Sequence, residues 1–97
     1  MNIDFNKNNG ELTVMIDGRL DTVTAPELEG FLGKHYESIT SLTFECEKLI
    51  YISSAGLRVL LTAHKRMKGA MKLVNVNELV MEVLEMTGFA DILEIVK

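Results

Sequence analysis

The chain has 97 residues, a formal net charge of −4 at pH 7, 47% apolar residues and few aromatic ones. This length predicts a single domain, over residues 1–97, with enough core to fold without metal or disulfide. The negative charge argues against nucleic acid as a partner, because phosphate backbones attract basic surfaces. Since the N-terminus does not resemble a signal peptide and no apolar run approaches the about 20 residues that span a bilayer, we expect a cytoplasmic protein without a membrane partner.

The first predicted elements are the two strands of a hairpin, over residues 3–5 and 11–17, with a turn signal at residues 6–10. The chain then leaves the second strand at residues 18–21. A helix is predicted from Thr24, because Thr24 and Glu27 have the spacing of a capping box. Gly30 and Gly33 interrupt its apolar stripe and either weaken the helix by about 1 kcal/mol each or mark close packing on a neighbour. The stripe contains Leu28, Phe31, Leu32, His35 and Ile39.

A strand over residues 42–47 follows, and it includes the single cysteine, Cys46, as a small buried hydrophobe. The apolar run 49–52 leads to a helix that begins at Ser53 and ends at Lys68–Gly69, where glycine suits the left-handed position. A strand over 71–76, a helix from Asn77 to about Met86, and a short helix or edge strand over 89–96 complete the chain. The order β-β-α-β-α-β-α predicts a small α/β domain with a mixed, largely parallel sheet.

The most informative segment is the sequence Ser53-Ser54-Ala55-Gly56-Leu57 at the start of the second helix. One serine is enough to cap a helix N-terminus, so the second hydroxyl indicates a surface that is contacted or modified. Gly56 is expected to permit a close backbone approach, and Leu57 is expected in the core.

Signs of catalytic chemistry are scarce. Neither a glycine-rich phosphate loop nor a zinc-ligand spacing occurs, so no cofactor and no metal are expected. His35 and His64 both occupy helix-stripe positions, which favours packing over catalysis. The serines lack the G-x-S-x-G elbow, and we interpret the chain as a non-enzyme. A small serine hydrolase is the alternative, and a fluorophosphonate probe that leaves both serines unlabelled would exclude it.

Three segments together resemble one family. Residues 18–28 resemble the motif G-x-L-D-x-x-T-A-x-x-L, residues 51–57 resemble an aromatic-apolar pair followed by D-S-S/T-G-L, and residues 86–89 resemble M-S/T-G-L/F. This combination resembles the STAS domain family, specifically the single-domain bacterial anti-sigma factor antagonists. The resemblance spans nearly the whole chain and implies an α/β fold with a central mixed sheet.

The resemblance also implies a partner switch. In that family, an unphosphorylated antagonist binds a serine-kinase anti-sigma factor and releases a sigma factor. Phosphorylation of one serine by the kinase ends the interaction, and a serine phosphatase reverses it. The family position of that serine falls on Ser54, with Ser53 as the alternative, because Ser53 stands where the family usually has an acidic residue.

The resemblance further places a partner-binding surface around the serines. Its expected members are Asp21, Ser53, Ala55, Gly56 and Arg58. For Asp21, the resemblance implies a contribution to this surface or to the position of the acceptor hydroxyl. The residues alone favour a different role, in which Asp21 caps backbone N–H groups of its own loop, and both interpretations stay open.

A second function keeps the fold without the switch: a non-phosphorylated STAS adaptor subunit of an ATPase or lipid-transport complex. Stable co-purification with an ATPase and an absence of phosphate would distinguish it. In either case we expect a monomer or a weak dimer.

Overall fold

The computed structural model describes residues 1–96, so only the last position of the predicted domain lies outside the described residues. The strands are β1 (Asn2–Asn8), β2 (Glu11–Leu20), β3 (Ser41–Glu45), β4 (Leu49–Ile52), β5 (Met71–Val74) and β6 (Glu94–Val96). The helices are α1 (Ala25–Gly33), α2 (Ser54–Arg66) and α3 (Glu78–Met86), with 3-10 turns at Tyr36–Ser38 and Phe89–Asp91. None of the helices in this part of the chain is long and apolar enough to cross a membrane.

The predicted α/β class with a mixed sheet is confirmed. The strands of the six-stranded sheet follow the order β1-β2-β3-β5-β6, and β4 pairs with β2 beyond the end of β3. β1 is antiparallel to β2, whereas the other pairings are parallel. At least one helix lies in the chain between the two strands of every parallel pair, as crossover connections require.

The N-terminal hairpin is confirmed, but its strands are longer than predicted. β1 continues to Asn8, and the turn consists of Asn9 and Gly10 alone. Asn9 has a φ of 57°, which asparagine tolerates better than most residues. Asn6, Lys7 and Asn8, which were predicted to form part of the turn, belong to the edge strand β1, where polar side chains remain solvated.

β4 is the element that the sequence prediction missed. It pairs with the second part of β2, where the register shifts between Gly18 and Arg19. Gly18 has a φ of 111°, and its N–H donates to the Lys48 carbonyl at 2.9 Å. This glycine irregularity moves the end of β2 away from β3 and toward β4, a pairing that local pattern alone does not specify.

The core lies on one face of the sheet, beneath the helices. Along β2, buried Leu12, Val14 and Ile16 alternate with partly exposed Thr13 and Met15. The same alternation occurs in β3, which confirms a half-exposed sheet. Leu57 and Cys46 are also buried, as predicted. Helix α3 packs against β4 and contributes Val80 and Leu84 to the core.

The helix ends test several predictions. Ser53 and Asn77 are confirmed as N-caps, since their side chains accept the backbone N–H groups of Gly56 and Val80. Gly69 follows α2 with a left-handed φ of 86°, but it is one residue too late for the predicted position, because Met67 is the C-cap and Lys68, with a φ of 54°, occupies the C′ position. At the end of α3, Gly88 is the C′ residue, with a φ of 82°.

The predicted capping box at Thr24 is wrong. Thr24 is the N-cap residue of α1 but makes no side-chain capping bond, because its hydroxyl is engaged with the preceding loop. Close packing at Gly30 and Gly33 is also wrong, since a Cβ at either position would meet nothing within 4 Å. For residues 89–96 the structure contains both alternatives, a 3-10 turn followed by the edge strand β6.

Candidate functional site

The two serines at the start of α2 have different environments. Ser53 is extended, with its N–H donating to the Leu20 carbonyl at 2.9 Å and its hydroxyl accepting the Gly56 N–H at 3.4 Å. Ser54 is the first residue of the helix, and its side chain is exposed. The capping role therefore belongs to Ser53, which leaves the Ser54 hydroxyl at the helix start accessible to a modifying enzyme.

Gly56 holds the start of α2 against the end of β2. A Cβ at this position would lie 2.7 Å from Leu20 Cγ and 2.9 Å from the Leu20 carbonyl oxygen, as well as 3.0 Å from a side-chain carbon of Ile52. The expected close backbone approach at Gly56 is confirmed. Because the loop after β2 and the serines of α2 are joined at Leu20, a change in one displaces the other.

The loop between β2 and α1 is organised by Asp21 and Thr24. The Asp21 carboxylate accepts the N–H groups of Val23 at 3.0 Å and Thr24 at 3.1 Å. In return, the Thr24 hydroxyl accepts the Asp21 N–H at 2.8 Å and donates to the Arg19 carbonyl at 2.8 Å. Within residues 1–96, the hydrogen bonds of the Asp21 carboxylate thus stay inside its own loop, which favours the capping interpretation of this residue.

The same bonds explain the electrostatics of Asp21. The hydrogen bond from the Thr24 N–H has the largest effect and lowers the pKa of the Asp21 carboxyl below its usual value. The bonds from the Val23 N–H and the Thr24 hydroxyl lower the pKa further, whereas partial burial opposes the shift. The nearby Arg19 guanidinium, 3.7 Å from the carboxylate, also lowers the pKa. Arg19 in turn lies 4.2 Å above the ring of Tyr51 on the neighbouring strand β4. The loop is therefore fixed to both β2 and β4.

A shallow groove runs beside the serines between α1 and α2. It is lined by Thr22, Ala25 and Glu29 on one side and by Ala55, Arg58 and Thr62 on the other. Among the predicted site residues, the structure thus brings Ala55 and Arg58 together in this groove. Asp21 adjoins the groove through Thr22, whereas Gly56 is buried beneath it.

Val23 is a surface residue that the sequence analysis missed. It lies at the tip of the Asp21 loop with 84% of its side chain exposed, the most exposed large apolar residue in the described chain. The signal was a valine between Thr22 and Thr24 in a segment with no strand or helix pattern. An apolar side chain held on a rigid loop beside a groove is suited to contact a partner.

The helix N-terminus at Ser54 is electrostatically uncompensated. The first turn of α2 contains no acidic residue, whereas the last turn carries His64, Lys65 and Arg66. Free N–H groups at a helix start favour an anion. No group of residues that could hold a metal ion occurs within residues 1–96. The backbone at the start of α2 therefore favours a negatively charged group.

Comparison with known proteins identifies the family. The STAS domain model matches residues 2–97. The chain belongs to the STAS domain family. It is also 31% identical over 98 residues to the anti-sigma-B factor antagonist of Bacillus subtilis, an alignment that covers 98% of this chain and 90% of that protein.

Solved structures show the same fold. An anti-sigma factor antagonist from Mycobacterium paratuberculosis matches with a TM-score of 0.86 at 21% identity, over 97% of this chain and 83% of that one. The phosphorylated form of the Bacillus cell fate determinant SpoIIAA matches with a TM-score of 0.76 at 13% identity, over 99% of this chain and 92% of that one. At these identities the likeness concerns the STAS fold itself.

Proposed function

We propose that this STAS protein is an anti-sigma factor antagonist whose binding to a serine-kinase anti-sigma factor is switched off by phosphorylation of Ser54. The observation that carries the proposal is that the two serines have different positions at the start of α2. Ser53 caps α2 and Ser54 is exposed at its first position. The relationship to the Bacillus subtilis anti-sigma-B factor antagonist supports the antagonist part of this proposal.

A phosphate on Ser54 is compatible with the fold. It would add about −1.5 to −2 charges at a helix N-terminus, where backbone N–H groups and the helix dipole favour an anion. The first turn of α2 has no carboxylate that would repel it. Phosphorylation therefore leaves α2 folded and acts on the partner.

Arg58 connects the phosphate to partner binding. Ser54 and Arg58 are four residues apart on α2, so their side chains lie on the same helix face. Arg58 is exposed and lines the groove between α1 and α2. In the unmodified protein its guanidinium is available to a carboxylate of the kinase, and a Ser54 phosphate competes for it.

The binding surface includes the groove and the tip of the Asp21 loop. Val23 supplies an apolar contact, Ala55 lets the partner approach the helix start, and Arg58 supplies charge. Asp21 contributes by fixing the loop, so its substitution acts through the position of Val23. Ser53 and Gly56 keep the start of α2 in register with Leu20.

The experiment compares kinase binding by matched serine variants. We expect Ser54→Asp to fold as the wild type does and to bind the serine-kinase anti-sigma factor at least about tenfold more weakly, a loss of about 1.4 kcal/mol. Ser53→Asp is the matched control, because aspartate at the N-cap retains helix capping while its charge stands one residue away. Binding is measured by isothermal titration, and folding by thermal denaturation.

The contradicting result is specific. Wild-type affinity in Ser54→Asp would disprove the switch at this residue, and a loss in Ser53→Asp alone would move the phosphorylation site to Ser53. Val23→Asp tests the binding surface separately, because the Val23 side chain is 84% exposed and only the backbone N–H of this residue bonds to Asp21. It should weaken binding without lowering the melting temperature.

The second candidate is the non-phosphorylated adaptor subunit. The observation in its favour is Ser53, which stands where the family usually has an acidic residue. An adaptor would remain bound to its ATPase in the presence of ATP, and a serine kinase would not modify it. Phosphate on Ser54 would exclude this function.

A further inference from the structure

The outer edge of strand β1 is a second surface of interest, separate from the Ser54 site. β1 is the first strand of the sheet order, and within residues 1–96 it pairs with β2 only. It has seven residues, six of them exposed. An unpaired strand edge of this length is a template for another strand unless something blocks it.

The register of the hairpin determines which backbone groups of β1 are free. Asn8 and Glu11 are paired directly across the two-residue turn. In such a hairpin the pair flanking the turn exchanges both hydrogen bonds, and bonded pairs then recur at every second residue. The even-numbered residues of β1 therefore bond to β2. Ile3, Phe5 and Lys7 direct their N–H and carbonyl groups to the outer edge.

A second observation agrees with this assignment. The Phe5 N–H donates to the carboxylate of its neighbour Asp4 at 2.8 Å. Its hydrogen-bond partner is thus a side chain at the edge rather than β2. Asp4 acts as a local block on the central donor of that edge.

The free groups are symmetric about Phe5. If a second β1 pairs antiparallel with a two-fold axis at this residue, Phe5 lies opposite Phe5 and Ile3 lies opposite Lys7. Every outward N–H and carbonyl of these three residues then finds a partner. Asp4 lies opposite Asn6, so no two like charges stand directly across from one another.

The side chain of Phe5 also suits this arrangement. It is 47% exposed, and its ring lies 5.2 Å from that of Phe31 and 5.5 Å from that of His35. Its exposed part is free to meet a second Phe5, which would extend the aromatic cluster.

We propose that β1 is a self-association edge, at which two copies of this chain join their sheets by antiparallel β1–β1 pairing centred on Phe5, with Asp4 as a competitor for the central N–H. Pairing of two short strands buries little surface, so the dimer is weak and forms at high protein concentration. Removal of the competitor strengthens it.

The test exploits the fact that Phe5 faces its own copy. Phe5→Lys and Phe5→Glu should each be monomeric, with self-association at least about tenfold weaker than in the wild type. An equimolar mixture of the two should form a heterodimer, since opposite charges then meet at the axis. Asp4→Ala should dimerise more tightly than the wild type. Sedimentation velocity at up to roughly 1 mM chain covers the range of weak association.

Circular dichroism melts of all variants establish that each is folded. If Phe5→Lys and Phe5→Glu, each measured by itself, dimerise as strongly as the wild type, the contact lies on another face and the proposal is overturned. Failure of the mixture to associate would overturn the register centred on Phe5. If the wild type and Asp4→Ala are both monomeric, the proposal is wrong and the edge is left to solvent or to a strand of different sequence.

Discussion

Gly56 at the start of α2 lies so close to Leu20 at the end of β2 that a methyl group on it would stand 2.9 Å from the Leu20 carbonyl oxygen. That same carbonyl accepts the Ser53 N–H at 2.9 Å. The Leu20 carbonyl thus fixes the position of Ser53 and limits how closely the start of α2 can approach the end of β2.

Gly56→Ala should therefore be strongly disruptive. The new methyl group must displace backbone, which costs about 1–3 kcal/mol of the free energy of unfolding. We also expect weaker binding of the kinase, because the Ser53–Leu20 bond lengthens when α2 moves. Chemical denaturation measures the first effect and isothermal titration the second. Unchanged stability would show that the contact with Leu20 relaxes freely.

Gly30→Ala, in the neighbouring helix α1, should stabilise the protein, in contrast to Gly56→Ala. Gly30 lies inside α1 and is exposed, and a Cβ there would meet nothing within 4 Å. Alanine should raise the free energy of unfolding by about 1 kcal/mol, since glycine is the poorer helix former. Urea denaturation of the two variants tests this prediction. A destabilised Gly30→Ala would mean that close packing, absent from the structure, occurs at this position.

The Asp21 carboxylate makes stability dependent on pH in a definite direction. Its pKa is lowered from 3.8 by hydrogen bonds from Thr24 and Val23 and by the charge of Arg19. Its contribution is therefore complete above pH 3.8 and is lost as the pH falls through the lower, folded-state pKa. We expect the melting temperature of Asp21→Asn to fall less than that of the wild type on acidification. Parallel losses in the two proteins would contradict this role.

Cys46 should be chemically inert while the protein is folded. It is 1% exposed, and burial, together with the Glu45 carboxylate, raises its pKa to about 12. Since the thiolate is the reactive form, a thiol reagent at neutral pH should label the protein only as it unfolds. The labelling rate with and without denaturant measures this. Rapid labelling of the native protein would place the thiol at the surface.

Much of the fold could be predicted because local signals and tertiary structure agree. Ser53 and Asn77 precede apolar helical stripes, and both cap helices as expected. The alternation of Leu42 and Phe44 with polar residues correctly predicted a half-exposed strand. These features depend on neighbours within a few residues, which the sequence displays directly.

The missed features depend on residues far apart in the chain. β4 exists because the irregularity at Gly18 redirects β2, and four apolar residues before a helix do not reveal that pairing. At Thr24, the motif for a capping box was present, but the Asp21 N–H and the Arg19 carbonyl engage the hydroxyl first. The exposure of Val23 likewise follows from the loop's hydrogen bonds, not from its composition.

Phosphorylation of Ser54 is tested directly by intact mass with site mapping, after incubation of the protein with the serine-kinase anti-sigma factor and ATP. We expect one added phosphate, on Ser54, in the wild type and in Ser53→Ala, and none in Ser54→Ala. We also expect the same single phosphate on a fraction of the protein purified from its own cells. A protein that stays unmodified under both conditions, while remaining bound to an ATPase, would contradict the switch.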